Sequence, residues 1–285
     1  MSNPYEISDK TCISFSGGRT SAFMLYKVLE AHQMSLPSDA KVVFCNTGKE
    51  EEATLKFVND CSTKWNVPII WLEFAIENNE KITKIVDFKT ASRNGEPFDA
   101  VINFYQPSLP NGRSRYCSSQ LKTRTMHRYL KSIGWEEWES FIGIRADEPK
   151  RVVKFRANPN PEGKHETVYL PLAQDNISSK DVSNFWKQQD FDLGLPNING
   201  KTMHGNCDLC MLKPKAQILS LIQENQKEHC GGLNKRKKRQ KDVLAMGSSL
   251  LLTDLLTHKC TNMLPSKPIC LTKMKKLFLA SVEIK

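Results

Sequence analysis

Short apolar runs alternate with longer amphipathic stretches over the first part of the chain. Nearly continuous apolar residues predict buried strands at 11–15, 41–45 and 68–72. Helical spacing predicts a helix after the Gly17-Gly18 turn to about Gln33 and another from about Glu50 to Trp65. This alternation is typical of a parallel sheet with helices on both faces, so we predict an α/β fold.

The pattern becomes less regular after the third strand. Residues 76–115 are expected to carry insertions, and the turn-rich stretch 157–163 is expected to be a loop. The elements predicted beyond them are a helix at 123–133, strands at 140–145 and 166–172, and helices at 179–188 and 215–226.

Charge divides the chain into two parts. Residues 1–231 hold 29 Lys and Arg against 28 Asp and Glu, whereas residues 232–285 hold 12 against 3. We therefore predict a domain at 1–231 and a basic C-terminal tail at 232–285 that is partly helical or disordered. The basic run 235–241 would attract RNA or DNA, although such a run is more often a solvated surface.

No apolar run approaches the ~18 residues of a membrane span, and the first residues lack the features of a secretory signal. We expect a cytoplasmic protein without a membrane partner, in which the nine cysteines are not paired as disulfides. Five of them are interpreted as packing or incidental residues: Cys12, Cys45, Cys61, Cys260 and Cys270.

A glycine pair, Gly17 and Gly18, separates the first strand from the first helix. Such a turn lets backbone N–H groups approach an anion at a helix N-terminus, and Ser16, Thr20 and Ser21 add hydroxyl donors. The pattern favours phosphate binding, with a merely tight turn as the alternative.

Five segments in chain order resemble the PP-loop superfamily of ATP pyrophosphatases and PAPS reductases, in particular phage and bacterial PAPS-reductase-like proteins. The segments are Ser16–Ser21 as Ser-Gly-Gly-x-x-Ser, Asn46–Thr54, Arg115–Lys122, Gly143–Arg151 and Gly205–Lys213. The resemblance implies a Rossmann-like (HUP-type) parallel sheet with a small C-terminal extension, and a bound ATP or PAPS with Mg²⁺.

The resemblance also implies which residues hold the nucleotide. They are Ser16, Gly17, Gly18, Arg19, Thr20, Ser21, Thr47, Gly48, Glu50, Lys122, Gly143, Arg145 and Arg151. Ser16 and Arg145 are the catalytic candidates. For Arg145, Arg151 and Lys122 the alternative is a surface ion pair, and Glu50 could instead stabilise the start of its helix. Asp147 and Glu148 could hold Mg²⁺, but pairing with Arg151 is favoured.

Cys207 and Cys210 form a Cys-x-x-Cys, whose spacing suits one metal. The resemblance adds Cys117 and implies a three-cysteine [4Fe–4S] cluster, with the fourth ligand absent, external or Cys230. The alternatives are a structural zinc with Cys117 or His204, and a bare dithiol.

The resemblance implies three possible functions. The first is an enzyme that adenylates a substrate with ATP, releases pyrophosphate and transfers sulfur to a nucleic acid (tRNA or DNA) or nucleotide, using a sulfur donor protein. The second is a PAPS reductase with Cys230 as the thiol, although Glu228-His229-Cys230-Gly231 departs from the reductase motif Glu-Cys-Gly-x-His. The third is a non-catalytic nucleotide- or nucleic-acid-binding module.

Overall fold

A computed structural model describes most of the first 218 residues. The described residues are 3–105, 110–111, 114–161, 163, 165–198, 201–202, 204–205, 207, 210, 212–214 and 216–218. All of them belong to one compact unit that comprises Met1–Gln223. The predicted tail and most of the helix predicted at 215–226 lie outside the described residues.

Six strands form one sheet in the order β4-β3-β2-β1-β5-β6. The strands are β1 (Thr11–Ser14), β2 (Ala40–Asn46), β3 (Ile69–Glu77), β4 (Glu80–Val86), β5 (Trp138–Ile142) and β6 (Glu166–Tyr169). Neighbouring strands are parallel except β3 and β4, which are antiparallel. A two-stranded antiparallel ribbon, β7 (Asn197–Ile198) with β8 (Lys201–Thr202), lies outside the sheet. The predicted α/β parallel sheet is confirmed.

The connections are mainly helical. The helices are α1 (Arg19–Ala31), α2 (Glu52–Lys64), α3 (Glu96–Phe104), α4 (Tyr116–Ser118), a π-helix (Ser119–Thr123), α5 (Arg124–Ser132), α6 (Pro149–Ala157), α7 (Pro171–Gln174) and α8 (Ser179–Lys187). Within the described residues, no helix is both long and apolar enough to cross a membrane.

Successive side chains of a strand point to opposite faces of the sheet, and both faces of this sheet are apolar. Helices therefore pack on both faces and form two cores. Ile13 and Phe44 pack in the larger core with residues of α1, α2 and α8. Their chain neighbours Cys12 and Val43 point to the other face, where they pack with Leu130 of α5.

The strand order reverses at β1. The chain runs from β1 outward through β2 and β3, and then returns to place β5 on the other side of β1. In open sheets of this kind, ligands bind beyond the carboxyl ends of the strands where the order reverses. The loops that follow β1, β2 and β5 therefore enclose the candidate site.

Several predicted boundaries were wrong. The irregular region expected at 76–115 contains the end of β3, a tight turn at Asn78 and Asn79 with φ of 50° and 63°, all of β4, and α3. Paired residues with positive φ are those of a two-residue hairpin, which turns the chain back along β3.

Two predicted strands are shorter than expected. The strand predicted at 140–145 is β5 and ends at Ile142, and the one predicted at 166–172 ends at Tyr169 because Pro171 begins α7. Helix α6, which begins at Pro149, was not predicted. Helix α8 was predicted almost correctly, since Ser178 and Asp181 form a capping box at its start.

Candidate functional site

The loop after β1 is a compact turn held by its own serines. The backbone N–H of Ser16 donates to Oγ of Ser21 at 3.2 Å, and the two Oγ atoms lie 3.0 Å apart. Ser21 Oγ donates in turn to the carbonyl of Gly18 at 2.9 Å. Gly17 has a φ of +74°, and a Cβ there would lie 2.7 Å from Cγ2 of Thr54. Both the positive φ and the lack of space for a side chain therefore require glycine at position 17. The turn leads directly into the N-terminus of α1.

Two arginines lie at this loop, Arg19 at the start of α1 and Arg145 from the segment after β5. Arg145 follows β5 and donates from Nη1 to Oγ1 of Thr20 at 3.0 Å, while its Nε donates to Asp147 at 2.8 Å. Arg19 binds Asp192 through Nε at 2.6 Å and Nη2 at 2.5 Å. The remaining nitrogen of Arg19, Nη1, is buried and has no hydrogen-bond partner within the described part of the chain. Each guanidinium charge beside the turn is thus compensated by an aspartate.

The end of β5 approaches the start of α1 very closely. A Cβ on Gly143 would lie 3.1 Å from Cα of Ser21, so a side chain there would push the two elements apart. Arg145 then reaches Thr20 because the backbones of β5 and α1 are already in contact.

Arg151 is placed away from that loop contact. It extends from α6, its side chain is about half exposed, and it donates to Glu148 at 2.5 Å. Asp147 pairs instead with Arg145, and Asp147 also accepts the N–H of Ser179 at 2.9 Å. Both acids are thus engaged in pairs, as favoured from sequence, although Asp147 pairs with a different arginine.

The loop after β2 carries a buried carboxylate. Glu50 accepts the N–H and the hydroxyl of Thr47 at 2.9 and 2.8 Å, and its side chain is only 2% exposed. Gly48, at a φ of +70°, donates its N–H to Asn46 Oδ1 at 3.0 Å. The amide of Asn46 donates to Glu73 at 2.6 Å, which fixes the loop from beneath.

Cys207 and Lys122 meet this carboxylate. Sγ of Cys207 lies 3.3 Å from Oγ1 of Thr47 and 3.8 Å from Oε1 of Glu50, and Nζ of Lys122 lies 3.8 Å from the same Oε1. Burial raises the pKa of Cys207, and Glu50 raises it further against the opposing charge of Lys122. Burial works against the charge of Lys122, but the negative charges of Cys207 and Glu50 outweigh it and raise its pKa.

Of the three cysteines of the predicted cluster, Cys210 is close enough to each of the other two to affect its pKa. Burial raises the pKa of Cys117, and the charge of Cys210 raises the pKa of both Cys117 and Cys207. However, within the described residues no three His, Cys, Asp or Glu side chains are arranged to hold a metal ion. The structure therefore brings the thiols near one another without assembling them into a coordinating group. Cys230 lies outside the described residues.

Lys122 reaches Glu50 from a π-helix. The wider turn places Gln120 and Leu121 in the interior, where Thr125 Oγ1 donates to the carbonyl of Gln120 at 2.7 Å. Single π-helical turns within longer helices occur often at functional sites. The sequence carries no signal for this turn.

Three functional candidates were missed from sequence: Asn46 as a loop anchor, Glu73 and Asp192. Glu73 is 5% exposed and accepts the N–H of Ser92 at 2.6 Å and its hydroxyl at 2.7 Å, besides the Asn46 amide. The usable signal was a carboxylate inside the apolar run Trp71–Phe74.

Residues 10–193 match the family model of the phosphoadenosine phosphosulfate reductase domain. The chain is 31% identical over 213 residues to the uncharacterized nin region protein ORF290 of Escherichia phage lambda, covering 72% of this chain and 67% of that protein. It is 29% identical over 174 residues to the uncharacterized protein MJ0066 of Methanocaldococcus jannaschii, covering 60% of this chain but 31% of that protein.

Two solved structures are similar at low sequence identity. One is the phosphoadenylyl-sulfate reductase of Candida auris in a phosphate complex, with 15% identity, a TM-score of 0.42, and coverage of 69% of this chain and 87% of that one. The other is the tRNA thiolase NcsA of Methanococcus maripaludis with its [4Fe–4S] cluster, with 14% identity, a TM-score of 0.39, and coverage of 92% and 77%.

The family match confirms the predicted superfamily. It spans well over half of the 285 residues and includes the strands β1, β2 and β5 and the loop that follows β1. The chain belongs to the phosphoadenosine phosphosulfate reductase domain family.

Proposed function

We propose that this protein binds ATP on the loop after β1, adenylates a substrate with release of pyrophosphate, and exchanges the adenylated oxygen for sulfur. One observation carries the proposal. A glycine turn at the N-terminus of α1 and a group of thiol, ammonium and buried carboxylate (Cys207, Lys122 and Glu50) lie at the carboxyl ends of two adjacent strands, β1 and β2.

The loop residues would act on the phosphates. Backbone N–H groups at the start of α1, with Ser16, Arg19 and Arg145, would neutralise the triphosphate and hold its α-phosphorus for attack by a substrate oxygen. The new O–P bond forms as the bond to the β-phosphate breaks, and pyrophosphate leaves with the electron pair. Mg²⁺ would bind phosphate oxygens and water, since Asp147 and Glu148 are engaged with arginines.

The thiols would act on the activated substrate. Cys117, Cys207 and Cys210 have the donor chemistry of an iron–sulfur site, and after moving into coordinating positions they would hold such a cluster or, alternatively, zinc. A bound cluster would supply a position for sulfide. Sulfide from a donor protein then replaces the oxygen, AMP leaves, and no redox change is required. Lys122 and Thr47 would stabilise the Cys207 thiolate in either case.

PAPS reduction is the second candidate, and the description of the matching family favours it. In that reaction a thiolate attacks the sulfur of PAPS, adenosine 3′,5′-bisphosphate leaves, and a second thiol releases sulfite from the resulting S-sulfonate.

Thermal unfolding of anaerobically purified protein with ATP–Mg²⁺ or PAPS distinguishes the candidates. A ligand at ~100 times its Kd stabilises the folded state by about 2.7 kcal/mol. We expect ATP to protect the native protein and to lose this effect in Arg145→Ala. The matched control Arg156→Ala, which removes an exposed arginine near the C-terminal end of α6, should keep the full protection by ATP.

Pyrophosphate release and bound iron and sulfide complete the test. Protection by PAPS alone, with thiol-dependent sulfite release, would replace the first reaction by the second. If the protein binds nucleotide but shows no turnover in the presence of tRNA, DNA and a sulfide source, it acts as a non-catalytic binding module.

A further inference from the structure

Positive charge is concentrated in one segment of the domain, and Lys122 is the one residue of that charge assigned to the nucleotide site. Residues 100–135 contain six Lys and Arg and no Asp or Glu, whereas residues 1–231 as a whole are nearly neutral. This segment includes α4, the π-helix and α5, and it contains Cys117. A long stretch of a single charge beside a candidate reactive thiol indicates an anionic partner larger than the nucleotide.

Helix α5 presents this charge as a stripe. Arg124, Arg128 and Lys131 are spaced four and three residues apart, which places them on one side of the helix. Arg124 and Lys131 are exposed, and neither forms an ion pair with any residue that the structure describes. Arg128 is half-buried and donates to Thr83 Oγ1 of β4 at 3.2 Å, which joins the stripe to the edge strand.

Aromatic rings continue the same surface. Lys81 lies two residues before Thr83 on β4 and therefore on the same face. Its Nζ donates to the hydroxyl of Tyr105 at 2.6 Å and lies 4.7 Å from the ring centroid of Phe104. Tyr105 stacks obliquely on Tyr116 at a centroid distance of 5.0 Å.

Tyr105 and Tyr116 pack in the same small cluster as Cys117, and the Phe104 ring lies 5.2 Å from the Tyr105 ring, centroid to centroid. Phe104 remains 37% exposed although it is apolar. The aromatic surface is thus next to the thiol and continuous with the basic stripe, a combination that suits the phosphates and bases of a single-stranded polynucleotide.

We infer that Arg124, Arg128 and Lys131, together with Phe104, Tyr105 and Lys81, form a binding surface for single-stranded nucleic acid. We call it the α5–β4 surface. The stripe contacts phosphates, the rings contact an unstacked base, and the strand is thereby led towards Cys117. This inference rests on the proposed function for its role, because it names the acceptor as a polynucleotide, but the binding itself requires no ATP.

Fluorescence anisotropy of the full-length protein with labelled single-stranded RNA and DNA of about 20 nucleotides tests the surface. The double variant R124A/K131A removes two phosphate contacts. We expect at least tenfold weaker binding near physiological salt, and a slope of log K against log salt that is smaller by about 1.4, or ~0.7 for each contact.

The matched control is K180A/K187A, which removes two exposed lysines from α8 on the opposite face of the sheet and should leave affinity and slope unchanged. The basic run 235–241 is the same in both variants and contributes equally. Phe104→Leu should weaken binding about tenfold while leaving the salt slope unchanged, since it removes a stacking ring and no charge.

Equal effects of the two double variants would overturn the inference. The inference would also be overturned if polyglutamate displaced the labelled nucleic acid as effectively as unlabelled nucleic acid of equal charge does. That result would indicate an acidic protein partner. ATP protection in the same variants separates the two proposals. If ATP protects the protein but R124A/K131A binds nucleic acid as well as its control does, only the α5–β4 surface is refuted. If R124A/K131A weakens nucleic-acid binding as expected but ATP does not protect the native protein, only the proposed function is refuted.

Discussion

Gly17 and Gly18 are adjacent but serve different physical requirements. Gly17 has a left-handed φ, and an added Cβ would contact Thr54 at 2.7 Å, whereas Gly18 is extended and its nearest atom would be Ser16 Oγ at 3.7 Å. We predict that Gly17→Ala lowers the free energy of unfolding by about 2 kcal/mol because strain and overlap add. Urea unfolding without nucleotide measures this, and Gly18→Ala is the control, with a change of about 0.5 kcal/mol or less.

Glu73 is a second residue whose substitution should be costly. It accepts three hydrogen bonds from Asn46 and Ser92, and Glu73→Gln would direct an amide N–H₂ at donors. We predict a loss of about 1–3 kcal/mol of stability, measured by urea unfolding. Glu77→Gln is the control on the same strand, because that side chain is half-exposed and pairs with Lys84 at the surface. An equal cost for both variants would contradict the anchoring role of Glu73.

At the residue scale, the sequence revealed local chemistry but not distant contacts. The loop at Ser16–Ser21 is predictable because the strand, turn and helix signals are consecutive in the chain. The contact between Cys207 and Glu50 joins residues 157 positions apart, and no local pattern specifies it. Glu73 was missed because a buried carboxylate is stable only through partners that other segments supply.

Helix α5 depends on a narrow apolar face. Leu130 is fully buried in the core between α5 and the sheet, while the opposite side of the helix is basic. We predict that Leu130→Ala lowers the free energy of unfolding by about 2–5 kcal/mol, through lost burial and the cavity it leaves. Chemical denaturation measures it. Ile133→Ala, at an exposed position just after the helix, should cost about 1 kcal/mol or less.

Elements with periodic apolar patterns were predicted, and those determined by polar residues were not. The strand predicted at 68–72 continues as β3 to Glu77. The apolar run ends at Glu73, but the strand does not, because the Glu73 carboxylate accepts hydrogen bonds inside the protein. The π-helix escaped prediction because its sequence is compatible with an ordinary helix, and the burial of Gln120 and Leu121 that accompanies its wider turn depends on tertiary packing.

For the whole molecule, the acidic limit of stability is set partly by carboxylates held in their charged form. Burial of Asp147 favours its neutral form, but the N–H of Ser179 and the guanidinium of Arg145 outweigh it and lower its pKa. A lowered folded-state pKa contributes stability above the unfolded value of 3.8, and that contribution is lost as the pH falls through the folded value.

We therefore predict that Asp147→Asn is less stable than the native protein at pH 7 and that the difference shrinks as the pH falls from about 5 to 2. Thermal unfolding across this range measures the effect. A difference that is constant with pH would show that the variant perturbs packing and not the charge. Glu139→Gln, on the preceding strand β5, is the control for a general loss of one carboxylate.

The strand pairs differ greatly in the chain length that each must close. The β3–β4 hairpin closes over two residues, Asn78 and Asn79, whereas β1 meets β5 only after more than a hundred residues have been synthesised and folded. Loops of such different length close at very different rates. The contact between the segment after β5 and the start of α1, where Arg145 meets Thr20, is accordingly expected among the last parts of the domain to become ordered. On the proposed function, nucleotide binding would then report that folding is complete.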